Sequence, residues 1–216
     1  MIDLIFSMAL IIQDVADTPV SDESAEPVEV VADSFDAAAA LDAINTSLNA
    51  LDTLQARFTQ VSPDGSAVQG QLSLRRPGRL RFEYDAPSPL LIIAGGGTVA
   101  IRDTALETTN RAPIRATPLW WLLKDEVDLA TDARVIDIWS EHGFVYISLT
   151  DAEGEMDGEA VFLFDAETFS LSQWFAVDSL GQTTRVLLDE VETGQRLDPR
   201  LFVLDDDDNE RPNRRR

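Results

Sequence analysis

Apolar residues along this chain recur first at helical and then at strand spacing. Phe35, Leu41, Ile44, Leu48, Leu51, Leu54 and Phe58 follow one another mostly at steps of three and four, with Asp42, Asn45, Asn49 and Asp52 on the opposite side. This predicts one long amphipathic helix, capped by Ser34, whose stripe packs on a core. The period then drops to two. Over 68–76, Val68, Leu72 and Leu74 are apolar while Gln69, Gln71, Ser73 and Arg75 are polar. After the Pro77-Gly78 turn, Leu80, Phe82 and Tyr84 alternate with Arg79, Arg81, Glu83 and Asp85, which makes a hairpin with one apolar face.

Further strands are expected at 90–94, 98–102, 133–140, 144–150, 160–164, 170–177 and 183–192, separated by turn signals such as Gly95-Gly96-Gly97 and His142-Gly143. Short strands with close-set turns predict an antiparallel meander rather than alternating β-α-β units. One segment interrupts it. Thr117-Pro118-Leu119-Trp120-Trp121-Leu122-Leu123 offers a cap, a proline at the first helical position and a short helix apolar nearly all round, which must be covered on more than one side. A sheet of nine or ten strands must curl, and helices laid on its concave face give a mainly β fold: an unclosed antiparallel barrel, or half-barrel, under a helical lid. Periodicity leaves open whether the interior is filled or hollow.

Charge and composition narrow the function. With 39 acidic against 17 basic residues the net charge is -22, which argues against nucleic acid as a partner. The absence of cysteine removes thiolate metal sites, cysteine nucleophiles and an N-terminal acylated cysteine. No cofactor and no metal is expected. Residues 1–12 contain an apolar run too short to span a membrane but suited to a signal-peptide core, although no Lys or Arg precedes it; 13–33 read as an acidic linker. The organisation expected is therefore a leader and linker over 1–34, a folded domain over 35–204 and a charged tail over 205–216.

Other chemistry is sparse. His142 is the one general base of the usual kind, and it falls in a turn with no Gly-x-Ser-x-Gly elbow anywhere. The glycines at 95–97 lack the Lys-Ser/Thr of a phosphate loop, and the aspartates at 205–208 lack the spaced ligands of a calcium loop. An enzyme is not expected. Arg75, Arg79 and Arg81 are expected to face an acidic partner surface.

Several short motifs, in order along about four fifths of the chain, carry a family resemblance. Ala56-Arg57-Phe58-Thr59-Gln60, Gly70-x-Leu72, Arg76-Pro77-Gly78-Arg79-Leu80-Arg81-Phe82-Glu83-Tyr84-Asp85-x-Pro87, Thr117-Pro118-Leu119, Asp128-Leu129 and Asp198-Pro199-x-x-Phe202 resemble the periplasmic lipoprotein carrier LolA and its relatives. The resemblance implies a monomeric periplasmic shuttle for acylated lipoproteins. Such a shuttle is loaded by an ATP-driven inner-membrane complex and unloaded to an outer-membrane receptor. It implies an acyl cavity lined by Leu72, Leu74, Leu80, Phe82, Tyr84, Leu119, Trp120, Trp121 and Leu122. It also implies that Arg76 latches the lid by bonding to backbone carbonyls of the helices. Arg76 continues the apolar-face series of its strand, and the plainer alternative is a strand-end arginine in solvent or paired with Asp85. A carrier of glycolipid or another lipid is the nearest alternative function, with a sensor or a hydrolase further off.

Overall fold

The computed structural model describes residues 35–204, so the leader, linker and tail expected on either side lie outside the described residues. The described residues begin with helix α1 (Ala37–Ala50) and continue through strands β1 (Thr53–Val61), β2 (Ala67–Arg75), β3 (Arg79–Tyr84), β4 (Leu90–Gly95), β5 (Thr98–Asp103) and β6 (Thr108–Pro113). Two short helices follow, α2 (Leu119–Leu123) and α3 (Leu129–Asp132), then β7 (Arg134–Glu141), β8 (Phe144–Thr150), β9 (Glu159–Asp165), β10 (Leu171–Val177) and β11 (Thr183–Thr193). The strands form one antiparallel sheet of eleven in the order β6-β5-β4-β3-β2-β1-β11-β10-β9-β8-β7. β6 and β7 are its two edges and do not pair, so the sheet is unclosed. The link between these edges is the stretch that carries α2 and α3.

The sheet curls strongly. Phe82 on β3 and Trp174 on β10 are four inter-strand steps apart, about 19 Å on a flat sheet. Their ring centroids are 6.1 Å apart, so the two strands bend toward each other across a concave face. That face is the core. It gathers Phe58, Leu72, Leu74, Leu80 and Phe82 from the first half and Ile147, Leu149, Phe162 and Phe164 from the second, under Ile44 and Leu48 of α1. Gly70 shows why the packing is tight: a Cβ there would lie 2.2 Å from the Glu83 carbonyl oxygen and 2.6 Å from the Phe58 ring. Phe58 and Tyr84, its register partners on either side, use the space to meet edge to face at 5.1 Å.

Three local expectations are corrected. The first helix stops at Ala50, and Leu54 and Phe58 belong to β1, where Leu54, Ala56 and Phe58 are buried in alternation. The step of four from 54 to 58 satisfies both periods, which is why the stripe reads as unbroken helix. The helix cap is Asp36 rather than Ser34: its carboxylate accepts from the Ala38 and Ala39 amides, both at 3.0 Å. Thr117 does not cap α2; its hydroxyl donates to the Ile114 carbonyl at 2.8 Å, and Pro118 occupies the cap position without a side-chain bond. β6 carries no apolar alternation to detect, since Thr-Thr-Asn-Arg-Ala-Pro is mostly exposed at a sheet edge.

A candidate lidded apolar site

The nine residues expected to line a cavity come together. Leu72 and Leu74 on β2 and Leu80, Phe82 and Tyr84 on β3 point into the concave face and are buried. Trp121 and Leu122 of α2 are buried against the same cluster, while Leu119 and Trp120 are half-buried on it. In this conformation their side chains pack on one another and on neighbouring rings: Phe58 meets Phe82 at 5.0 Å, and Trp121 meets Phe162 at 6.3 Å across the interior. The two tryptophans differ. Trp121 points inward, with its indole N–H donating to the Asp132 carbonyl at 3.2 Å. Trp120 carries the Arg115 guanidinium 4.6 Å and the Lys124 ammonium 5.9 Å from its ring. The Tyr84 hydroxyl donates to Gln60 Oε1 at 2.7 Å, and burial pushes its pKa up to about 12.

Arg76 sits one residue beyond the end of β2 and turns toward the lid. Its Nε donates to the Lys124 carbonyl at 2.8 Å, and its Nη2 donates to the Asp125 carbonyl at 3.1 Å. The Gly78 amide in the same turn donates to the Leu123 carbonyl at 2.8 Å. Three consecutive carbonyls at and beyond the C-terminus of α2, a place where helices leave acceptors unpaired, are thus satisfied by the β2–β3 turn. Burial lowers the Arg76 pKa, an effect opposed by the nearby charges of Asp125 and Asp52, and Nη1 is buried without a hydrogen-bond partner. The plainer alternative for Arg76 is not what the structure shows, because Asp85 is paired with Arg57. Of the three arginines expected on an outer face, Arg81 is occupied by Glu83 at 3.0 Å and by the Leu201 carbonyl at 3.3 Å.

Two further polar residues of α1, Asn45 and Asn49, hold the lid segment. Asn49 on α1 bonds both backbone groups of Val127: its Nδ2 donates to the carbonyl at 2.7 Å, and its Oδ1 accepts from the amide at 2.8 Å. The same Oδ1 lies 3.4 Å from Arg76 Nη2. One turn earlier, Asn45 Oδ1 accepts from the Leu129 amide at 3.0 Å. The signal available in the sequence is a pair of asparagines at i and i+4 on one side of the helix, one within it and one in its last turn.

On its other flank α1 borders a cleft of about 640 Å³. Leu48, Leu51, Leu54, Phe169, Leu171 and Val191 supply its apolar lining. Leu48, Leu54 and Leu171 also belong to the buried cluster, so the cleft borders the core, although none of the nine residues expected to line a cavity lies on its wall. The remaining chemistry stays outside this site. His142 stands in the β7–β8 turn with its side chain 80% exposed and Glu141 as its acidic neighbour at 3.4 Å. Gly96 and Gly97, with φ of 59° and 80°, form a two-residue hairpin turn between β4 and β5. Among the described residues no group of three or more His, Asp or Glu is arranged to hold a metal, and no helix is long and apolar enough to cross a membrane.

An unclosed antiparallel sheet, apolar within and roofed by α1 and the α2–α3 segment, defines a lidded half-barrel protein. Comparison with known proteins narrows this class. A family model described as outer membrane lipoprotein carrier protein LolA matches residues 49–205. The outer-membrane lipoprotein carrier protein of Methylococcus capsulatus is 34% identical over 168 residues, covering 74% of this chain and 80% of that protein. The protein of the same description from Pseudomonas paraeruginosa is 31% identical over 182 residues, covering 79% and 85%. Among solved structures the chain is similar to a LolA-superfamily protein from Nitrosomonas europaea, with a TM-score of 0.47 and 10% identity over 78% of this chain and 98% of that one. The chain belongs to the LolA family.

Proposed function

We propose that this protein is a periplasmic carrier that takes the acyl chains of lipoproteins into its half-barrel and shuttles them toward the outer membrane. Loading by an ATP-driven inner-membrane complex and delivery to an outer-membrane receptor complete this reading. The observation that carries it is the roof: an apolar concave face covered by helices that the β2–β3 turn holds through Arg76. Burying a methylene is worth about 0.8 kcal/mol, so a chain of about fifteen methylenes costs on the order of 12 kcal/mol to expose to water. A carrier must offer comparable apolar surface and still release it. A roof tied by a few polar bonds to backbone carbonyls meets both needs, because those bonds exchange for water when it lifts while the apolar lining passes to the cargo. In the closed form the lining residues satisfy one another, and the cleft beside α1 is where a chain first reaches them. His142, exposed in a turn, has no part in this reading.

The test is a titration with a synthetic acylated lipopeptide and its deacylated twin, read by tryptophan fluorescence. Trp121 lies within the proposed lining, so its emission shifts to the blue or is quenched with the acylated peptide alone. Arg76→Leu keeps the fold, judged by melting, and impairs transfer of the lipopeptide to or from vesicles. Equal responses to both peptides, or unchanged transfer in Arg76→Leu, refute the proposal.

A further inference from the structure

The roof consists of two pieces, α1 and the segment 124–129 that joins α2 to α3, and the bonds between them are made by side chains rather than by a ladder. Val127 and Leu129 are 3% and 1% exposed, so their backbone groups need partners within the protein. Asn49 reads both groups of Val127, as a neighbouring strand would, and Asn45 takes the Leu129 amide at the start of α3. Asn49 Oδ1 also receives Arg76 Nη2, so one amide side chain touches helix, lid segment and latch. From this geometry we infer that Asn49, supported by Asn45, is a positioning residue that joins α1 and the α2–α3 segment into a single roof and couples that roof to Arg76. The inference rests on the carrier reading for its purpose but not for its geometry.

The reason is the cost of doing without it. A buried backbone amide or carbonyl left unpaired is disfavoured. While Asn49 is present, the closed roof satisfies Val127 and aims Arg76; lifting one piece alone would break both contacts at once. Without Asn49 each piece moves separately, and the interior opens more often. The roof then ceases to act as a unit even though the apolar underside of α1 is untouched.

The experiment measures amide hydrogen exchange at Val127 and Leu129 and the association rate of cis-parinaric acid. It compares the full chain with Asn49→Ala, Arg76→Leu, their double variant and Asn49→Asp. Asn49→Ala is expected to speed exchange at both amides and fatty-acid association by about tenfold, the effect of losing one to two net hydrogen bonds. Because the two side chains touch, the double variant falls well short of the product of the single effects. Asn49→Asp keeps the acceptor for the Val127 amide and for Arg76, and it recovers part of the loss. Multiplicative effects in the double variant, no change at Leu129 in Asn49→Ala, or no recovery in Asn49→Asp overturn the inference. Failure of the fatty acid to bind to any form counts against the carrier reading, whereas the exchange data decide the coupling by themselves.

Discussion

The two long flanks of α1 meet the rest of the molecule in opposite ways. Toward the segment 124–129, Asn45 and Asn49 make three hydrogen bonds of 2.7 to 3.0 Å to backbone groups. Toward β10 and β11 the helix borders a cleft of about 640 Å³ with Phe169, Leu171 and Val191 across it. Hydrogen bonds are short-ranged and directional and fail together, whereas apolar contact yields gradually and is indifferent to which hydrocarbon supplies it. The difference teaches where a lid of this kind parts. On the carrier reading proposed above, it would stay joined on the asparagine flank and open on the cleft flank, where an acyl chain would replace the contacts that α1 gives up.

The comparison is broken most severely from beneath. Ile44 is fully buried in the core under α1 and belongs to neither flank. Ile44→Ala should cost about 2–5 kcal/mol. For a domain of this size that lowers the melting temperature on the order of ten degrees, read by circular dichroism. A loss of under about 1 kcal/mol would mean that the underside of α1 is weakly packed even when the roof is closed, and the flanks would then matter less than the inference requires. A smaller and more selective change fills the cleft. Ala43 lies on its wall and is half-buried, so Ala43→Phe should slow fatty-acid association severalfold while leaving hydrogen exchange at Val127 unchanged. Slower exchange at Val127 in this variant would show that the flanks are not independent.

Much of this architecture was legible in the sequence, and the exceptions have physical causes. Alternation exposed β2 and β3, because one face of each is mostly buried and the other mostly solvated, while the strands of the second half showed as short segments between turn signals. β1 was hidden, since the four-residue step from Leu54 to Phe58 fits a helix as well as a strand. β6 was hidden because an edge strand needs no apolar face. The lining residues were visible as the apolar members of the β2 and β3 alternations and of the short apolar helix α2, but whether they enclose space depends on how far a sheet curls and how closely a lid descends. Neither quantity is written in a local pattern. Arg76 stood out as a charge in an apolar series. Asn45 and Asn49 did not, because a polar residue on the outer side of an amphipathic helix looks the same whether it meets water or the backbone of a segment about eighty positions away.

The smallest effect sharpens the contrast between helix stability and flank chemistry. Asp36 caps α1 by accepting from the Ala38 and Ala39 amides and touches neither flank. Asp36→Ala should cost about 1 kcal/mol, lowering the melting temperature by about 2–4 °C, with faster exchange confined to the first turn. The fraying lies seven residues before Asn45, about 10 Å along the helix axis, so the bonds to Val127 and Leu129 should survive it. Fatty-acid association is therefore expected to match that of the unmodified chain, in contrast to Asn49→Ala. If Asp36→Ala accelerated association as much as Asn49→Ala does, access to the interior would be set by the overall stability of α1. The asymmetry between its flanks would then have no role in gating.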